Sequence, residues 1–87
     1  MELQQEFDQT VEKAQSLPQK PTSEELLKMY GLFKQATVGD NNEDKPGGFD
    51  FKAAAKHSAW EKEKGKTTEG AMQEYIDYVN GLFTKYQ

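Results

Sequence analysis

Tyr30 and Lys34 stand four residues apart, and so do Lys52 and Lys56, so each pair shares a face if its segment is helical. With Phe33 and Tyr75 they make a set of aromatic faces and ammonium groups that could frame a pocket for a stacked ring and a phosphate. The same spacings also suit a solvated lysine face and an aromatic core, and on these residues alone both readings stand. Catalysis has less to work with. The chain has one histidine, His57, and no cysteine. It holds no recognisable nucleophile–base pair, carboxylate pair or glycine-rich phosphate loop. Binding, rather than a reaction centre, is the expectation. A calcium loop is also unexpected. Asp40, Asn42 and Asp44 occupy its first, third and fifth positions, but Lys45 stands where a glycine is needed and Phe51 where the bidentate glutamate is needed. A polar loop turning at Pro46-Gly47 fits better.

Charge narrows the ligand class. Fifteen acidic residues against eleven basic ones give a net charge of −4, with a pI near 4.9. General affinity for nucleic acid needs net positive surface, so none is expected. All eleven basic residues are lysines, so an anion would be met by point charges on flexible stems rather than by planar guanidinium forks. The longest apolar run, Ala53 to Ala55, falls far short of the ~20 residues that cross a bilayer, and membrane insertion is not expected. The first residues have neither a basic nor an apolar leader character, which leads us to expect an intracellular, cytoplasmic protein. Without disulfides or thiolate-bound zinc, hydrophobic packing has to close the core.

The elements that would position these residues are helices. Pro18, Pro21, Pro46-Gly47-Gly48 and Gly65 divide the 87 residues into four segments, each with an apolar stripe. Leu3, Phe7, Val11 and Ala14 recur at helical intervals in the first. Thr22 and Glu25 have capping-box spacing at the start of the second, which then carries Leu26, Leu27, Met29, Tyr30, Leu32, Phe33 and Ala36 over more than half its circumference. Asp50 is a good N-cap for the third, which should end near Gly65. The fourth begins at Thr67 or Thr68 and shows Ala71, Met72, Tyr75, Ile76, Val79, Leu82, Phe83 and Tyr86 in a 3-4 pattern, with Gly70 and Gly81 inside it. Nothing alternates with period two, so the expectation is an all-α four-helix bundle. The link from Thr37 to Asp50 is long enough to let the second and third helices point the same way.

The run Tyr30-Gly31-Leu32-Phe33-Lys34-Gln35-Ala36-Thr37-Val38-Gly39-Asp40 closely resembles the signature of the acyl-CoA-binding protein family, known in animals as diazepam-binding inhibitor. The similarity continues in Phe7, Leu17-Pro18, Lys20-Pro21, Lys45-Pro46-Gly47, Asp50-Phe51-Lys52, Ala55-Lys56, Ala59-Trp60, Lys64-Gly65-Lys66, Ala71-Met72 and Tyr75-Ile76. It spans residues 1–87 as one acyl-CoA-binding domain.

The resemblance implies an up-down-down-up bundle that binds, buffers and carries medium- and long-chain fatty acyl-CoA esters without chemical change. It further implies no cofactor and no metal, a monomer, and ligand exchange with acyl-CoA-producing or -consuming enzymes. By position, Tyr30, Lys34 and Lys56 match the residues that hold the ribose 3′-phosphate and flank the adenine. Phe33 matches an aromatic position at the nucleotide, Lys52 a lysine near the phosphates, and Tyr75 a ligand-contacting tyrosine. Leu26 and Leu27 match apolar residues beside the ligand, and Gly31 and Leu32 lie within the signature. Gln15 stands where many relatives have a lysine near the phosphate, Phe33 lacks the usual hydroxyl, and His57 replaces a common tryptophan. Two other classes are weighed beside this one: a helical protein-interaction module with no small-molecule ligand, and a small acyl-CoA hydrolase or transferase, which the missing nucleophile–base pair disfavours.

Overall fold

The structure, a computed structural model, describes residues 2–87. It contains α1 (Leu3–Ala14), α2 (Ser23–Thr37), α3 (Phe51–Glu61) and α4 (Thr68–Tyr86), with no strand among the described residues. The starts are set by side chains. Thr22 accepts the N–H of Glu25 at 3.2 Å while the Glu25 carboxylate accepts the N–H of Thr22 at 2.9 Å, which completes the capping box. Asp50 accepts from the N–H of Ala53 at 3.0 Å and Thr67 from that of Gly70 at 2.9 Å. Gly70 and Gly81 both lie inside α4.

The end of α3 falls earlier than the glycine at 65 suggests. After Glu61 the chain tightens into three-residue turns, with Glu63 N–H donating to Trp60 O and Lys64 N–H to Glu61 O at 3.0 and 3.1 Å. This winding carries Glu63 under α2, where its buried carboxylate accepts from Lys28 at 2.9 Å and also from Lys66. Gly65 then turns the chain with φ +93°, in the left-handed region that favours glycine.

Residue pairs across the helices give their directions. Phe7 meets Tyr75, and Lys13 meets Asn80 and Phe83, so α1 and α4 run parallel. Glu25 meets Lys85 and Tyr86 while Gln35 reaches the carbonyl of Lys66, so α2 is antiparallel to α4. Tyr30 faces Lys56 and Lys34 faces Trp60, so α2 and α3 run parallel. The topology is up-down-down-up. The core of Phe7, Leu32, Ala36, Ala71, Met72, Tyr75, Ile76 and Val79 fills the space among α1, α2 and α4. Each of its large side chains contributes about 1.5–3 kcal/mol by leaving water. Against this packed unit α3 lies on the outer side of α2, and the long link is tied to α3: Asn41 donates to the carbonyl of His57 at 3.2 Å, and the His57 ring bonds the carbonyl of Glu43 at 2.9 Å.

Candidate ligand-binding site

The parallel pair α2 and α3 touches backbone to backbone at Gly31, where an added Cβ would stand 2.4 Å from the carbonyl oxygen of Ala59. Toward the start of both helices the seam opens into a groove of about 300 Å³, lined by Ser23, Leu26, Leu27, Tyr30, Lys52, Ala55 and Lys56. Its walls are largely apolar, and Lys52 and Lys56 are among the residues that line it. Five of the sequence-predicted residues, Leu26, Leu27, Tyr30, Lys52 and Lys56, therefore meet in one place.

One turn further along, Tyr30 and Lys34 on α2 oppose Lys56 and Trp60 on α3, and the pairs cross. The Lys56 ammonium lies 5.4 Å from the centre of the Tyr30 ring, and the Lys34 ammonium 4.7 Å from that of Trp60. Among the described residues no carboxylate forms an ion pair with Lys34, Lys52 or Lys56. In a chain of net charge −4, three cations left without acidic partners along one seam make a local positive site.

The remaining predicted residues lie elsewhere. Phe33 points from α2 toward α1, where it stacks on Phe7 with ring centres 6.1 Å apart and lines a shallow groove with Gln4, Asp8, Val11, Glu12 and Thr37. Tyr75 is buried on α4, edge-on to Phe7 at 5.2 Å and 6.4 Å from Phe33. Burial pushes its hydroxyl pKa up, so it stays protonated as a donor. Leu32 is core, Gly31 lies under Ala59, and Gln15 caps α1 on the exposed surface. The carboxylate of Asp40, in the link where no calcium loop is expected, accepts from Gln35 at 2.8 Å and from the Gly65 N–H at 2.9 Å, with its pKa held down chiefly by Gly65.

Two residues at the seam escaped the sequence reading as site members. Ala55 forms part of the groove floor, and Trp60 forms the platform beneath Lys34. The signal for Trp60 was present: it stands four residues after Lys56, so both fall on the same face of α3.

The family model described as Acyl CoA binding protein matches residues 4–79. The chain belongs to the acyl-CoA-binding protein family. It is 50% identical over 84 residues to an acyl-CoA-binding protein homolog of Drosophila melanogaster, covering 97% of this chain and 98% of the relative. It is 48% identical over 84 residues to the acyl-CoA-binding protein of Saccharomyces cerevisiae, with 97% of each covered. Among solved structures, Oryza sativa acyl-CoA-binding protein 2 superposes with a TM-score of 0.93 at 43% identity, over 97% of this chain and 93% of that one. The protein from Moniliophthora perniciosa gives 0.91 at 42% identity, over 100% and 85%. Family membership and fold thus agree along nearly the whole chain, and no described helix is long and apolar enough to cross a membrane.

Proposed function

We propose that this protein binds medium- and long-chain fatty acyl-CoA thioesters and carries them in the cytoplasm, as a monomer and without chemical change. The observation that carries this reading is the convergence of Tyr30, Lys34 and Lys56 at a seam that continues into an apolar groove. Such a site suits a ligand with a polyanionic head and an alkyl tail.

In this reading the 3′-phosphate is held by the Tyr30 hydroxyl and the ammonium groups of Lys34 and Lys56, with Lys52 near the pyrophosphate. The adenine lies beside Tyr30 at the seam, while Phe33 and Tyr75 stay in the aromatic cluster with Phe7 on the α1 side. The acyl chain follows Leu26, Leu27 and Ala55. Gly31 and Leu32 support the site from beneath, by close helix approach and by core packing.

Magnitudes divide the work. Burying an alkyl chain contributes up to ~0.8 kcal/mol per methylene, and a charge-assisted hydrogen bond ~1.5–3 kcal/mol. Free CoA and free fatty acid each lack one of the two contributions and should bind weakly. Ligand moves by dissociation to enzymes that make or consume acyl-CoA.

Calorimetric titration against acyl-CoA esters of increasing length, together with an assay for released CoA thiol, tests the reading. One-to-one binding that tightens with chain length, with no thiol released, is the expected result. Absence of binding would sink the carrier role, and thiol release would replace it with a hydrolase.

A further inference from the structure

The crossed arrangement at the seam gives Trp60 a role beyond packing. Its indole is buried, and its N–H donates to the carbonyl of Gly39 at 2.7 Å. Gly39 ends α2 in the left-handed conformation, with φ +98°, and its own N–H donates at 3.3 Å to the carbonyl of Lys34. The ring that lies 4.7 Å from the Lys34 ammonium is therefore tied, through Gly39, to the backbone of the same lysine. Both ends of Lys34 are referred to one fixed indole.

A lysine on a flexible stem loses rotamer freedom whenever it is held on an anion. An ammonium already resting on an aromatic face has surrendered part of that freedom, and it keeps N–H donors free on the side away from the ring. Lys56 enjoys the same arrangement over Tyr30, whereas Lys52 has no ring beneath it among the described residues.

We infer that Trp60 is a positioning residue for anion recognition: its buried indole holds the Lys34 ammonium in the seam, one turn beyond the groove, ready for the phosphate on the ribose of the ligand. This rests on the assignment of Lys34 to that phosphate. Trp60 touches no part of the ligand itself, and its effect is confined to the phosphate that Lys34 meets. A preorganised cation–π contact of this kind corresponds to about threefold to thirtyfold in affinity.

The test measures palmitoyl-CoA and 3′-dephospho-palmitoyl-CoA affinities for the wild type, Trp60→Leu, Trp60→Phe, Lys34→Ala and the Trp60→Leu/Lys34→Ala double variant. Trp60→Leu should reduce the preference for palmitoyl-CoA about threefold to thirtyfold and leave the dephospho affinity unchanged. Trp60→Phe, which keeps a ring face, should restore most of the preference. The double variant should lose no more than Lys34→Ala alone.

An equal loss for both ligands, or full additivity with Lys34→Ala, would overturn the positioning role and leave the phosphate site standing. Equal wild-type affinities for the two ligands would overturn the phosphate site and, with it, this inference. Should Trp60→Leu fail to fold, NMR of the wild type decides. The Lys34 ε-methylene protons should be displaced upfield by the indole relative to those of Lys52, and coincident positions would refute the contact.

Discussion

Gly31 and Ala59 meet so closely that a Cβ on Gly31 would lie 2.4 Å from the Ala59 carbonyl oxygen and 2.9 Å from its carbon. The missing side chain at Gly31 is what allows α3 to lie flat on α2, and it sets the separation of Tyr30 from Lys56. Replacing Gly31 by alanine would gain ~1 kcal/mol of helix propensity. It would also force two backbones apart, an overpacking cost of ~1–3 kcal/mol. Gly31→Ala is expected to lower the melting temperature by several degrees and to weaken acyl-CoA binding, as scanning calorimetry and titration would measure. An unchanged melting temperature would mean that α3 can shift without cost.

Lys34→Ala separates binding from folding. Lys34 makes no ion pair among the described residues, and its ammonium rests on a ring that remains packed without it. Affinity for palmitoyl-CoA should fall by about tenfold to a hundredfold, the worth of one charge-assisted hydrogen bond. The melting curve should barely move. A large thermal loss with intact affinity would give Lys34 a structural role instead.

Gln15 offers a gain-of-function test. It caps α1, is exposed, and donates no side-chain hydrogen bond among the described residues, so a lysine fits there without repacking. A cation at a helix C-terminus is also favourable by ~0.3–1 kcal/mol. Gln15→Lys should tighten acyl-CoA binding modestly at low ionic strength, and the advantage should shrink as salt is added. Unchanged affinity at low salt would place residue 15 outside the reach of the ligand's phosphates.

The pH dependence of stability should be concentrated at Glu25. Hydrogen bonds from Lys85, Tyr86 and the Thr22 N–H hold its pKa at about 2, down from 4.5. A carboxyl whose pKa is depressed by folding stabilises the native state above its unfolded value, and that contribution is lost as pH falls through its folded value. Glu25→Gln is therefore expected to melt below wild type at neutral pH. The gap should narrow from about pH 4.5 downward and close near pH 2, as a melting series across that range would reveal. A gap independent of pH would show that size and packing at this position matter, not charge.

The helices were legible because their signals are local. Thr22 with Glu25, Asp50 and Thr67 cap their helices through side chains three residues from the amides they meet, and the apolar stripes of α1 and α4 repeat every three or four residues. The direction of α3 was not legible from pattern, since the link before it permits either sense. The topology came from the family signature. The helix α3 ends before Gly65, in tightened turns that bring Glu63 to Lys28, a partner thirty-five residues earlier that no local pattern announces. At the site, Lys52 and Lys56 share a face of α3, as their spacing suggests, and the packing of α3 on α2 brings them to Tyr30. Phe33 and Tyr75 instead join Phe7 in an aromatic cluster on the α1 side, since residues three apart on α2 face different neighbours. Trp60 went unread as a site residue because a single buried tryptophan looks like core until the helix across the seam places a lysine on it.

The most direct test is the crystal structure of the protein saturated with palmitoyl-CoA. It should place the ribose 3′-phosphate within hydrogen-bond distance of Tyr30, Lys34 and Lys56, with the alkyl chain lying against Leu26, Leu27 and Ala55. A phosphate bound away from the α2–α3 seam, with the Tyr30 and Lys56 side chains still paired as in the free protein and the groove empty, would contradict it.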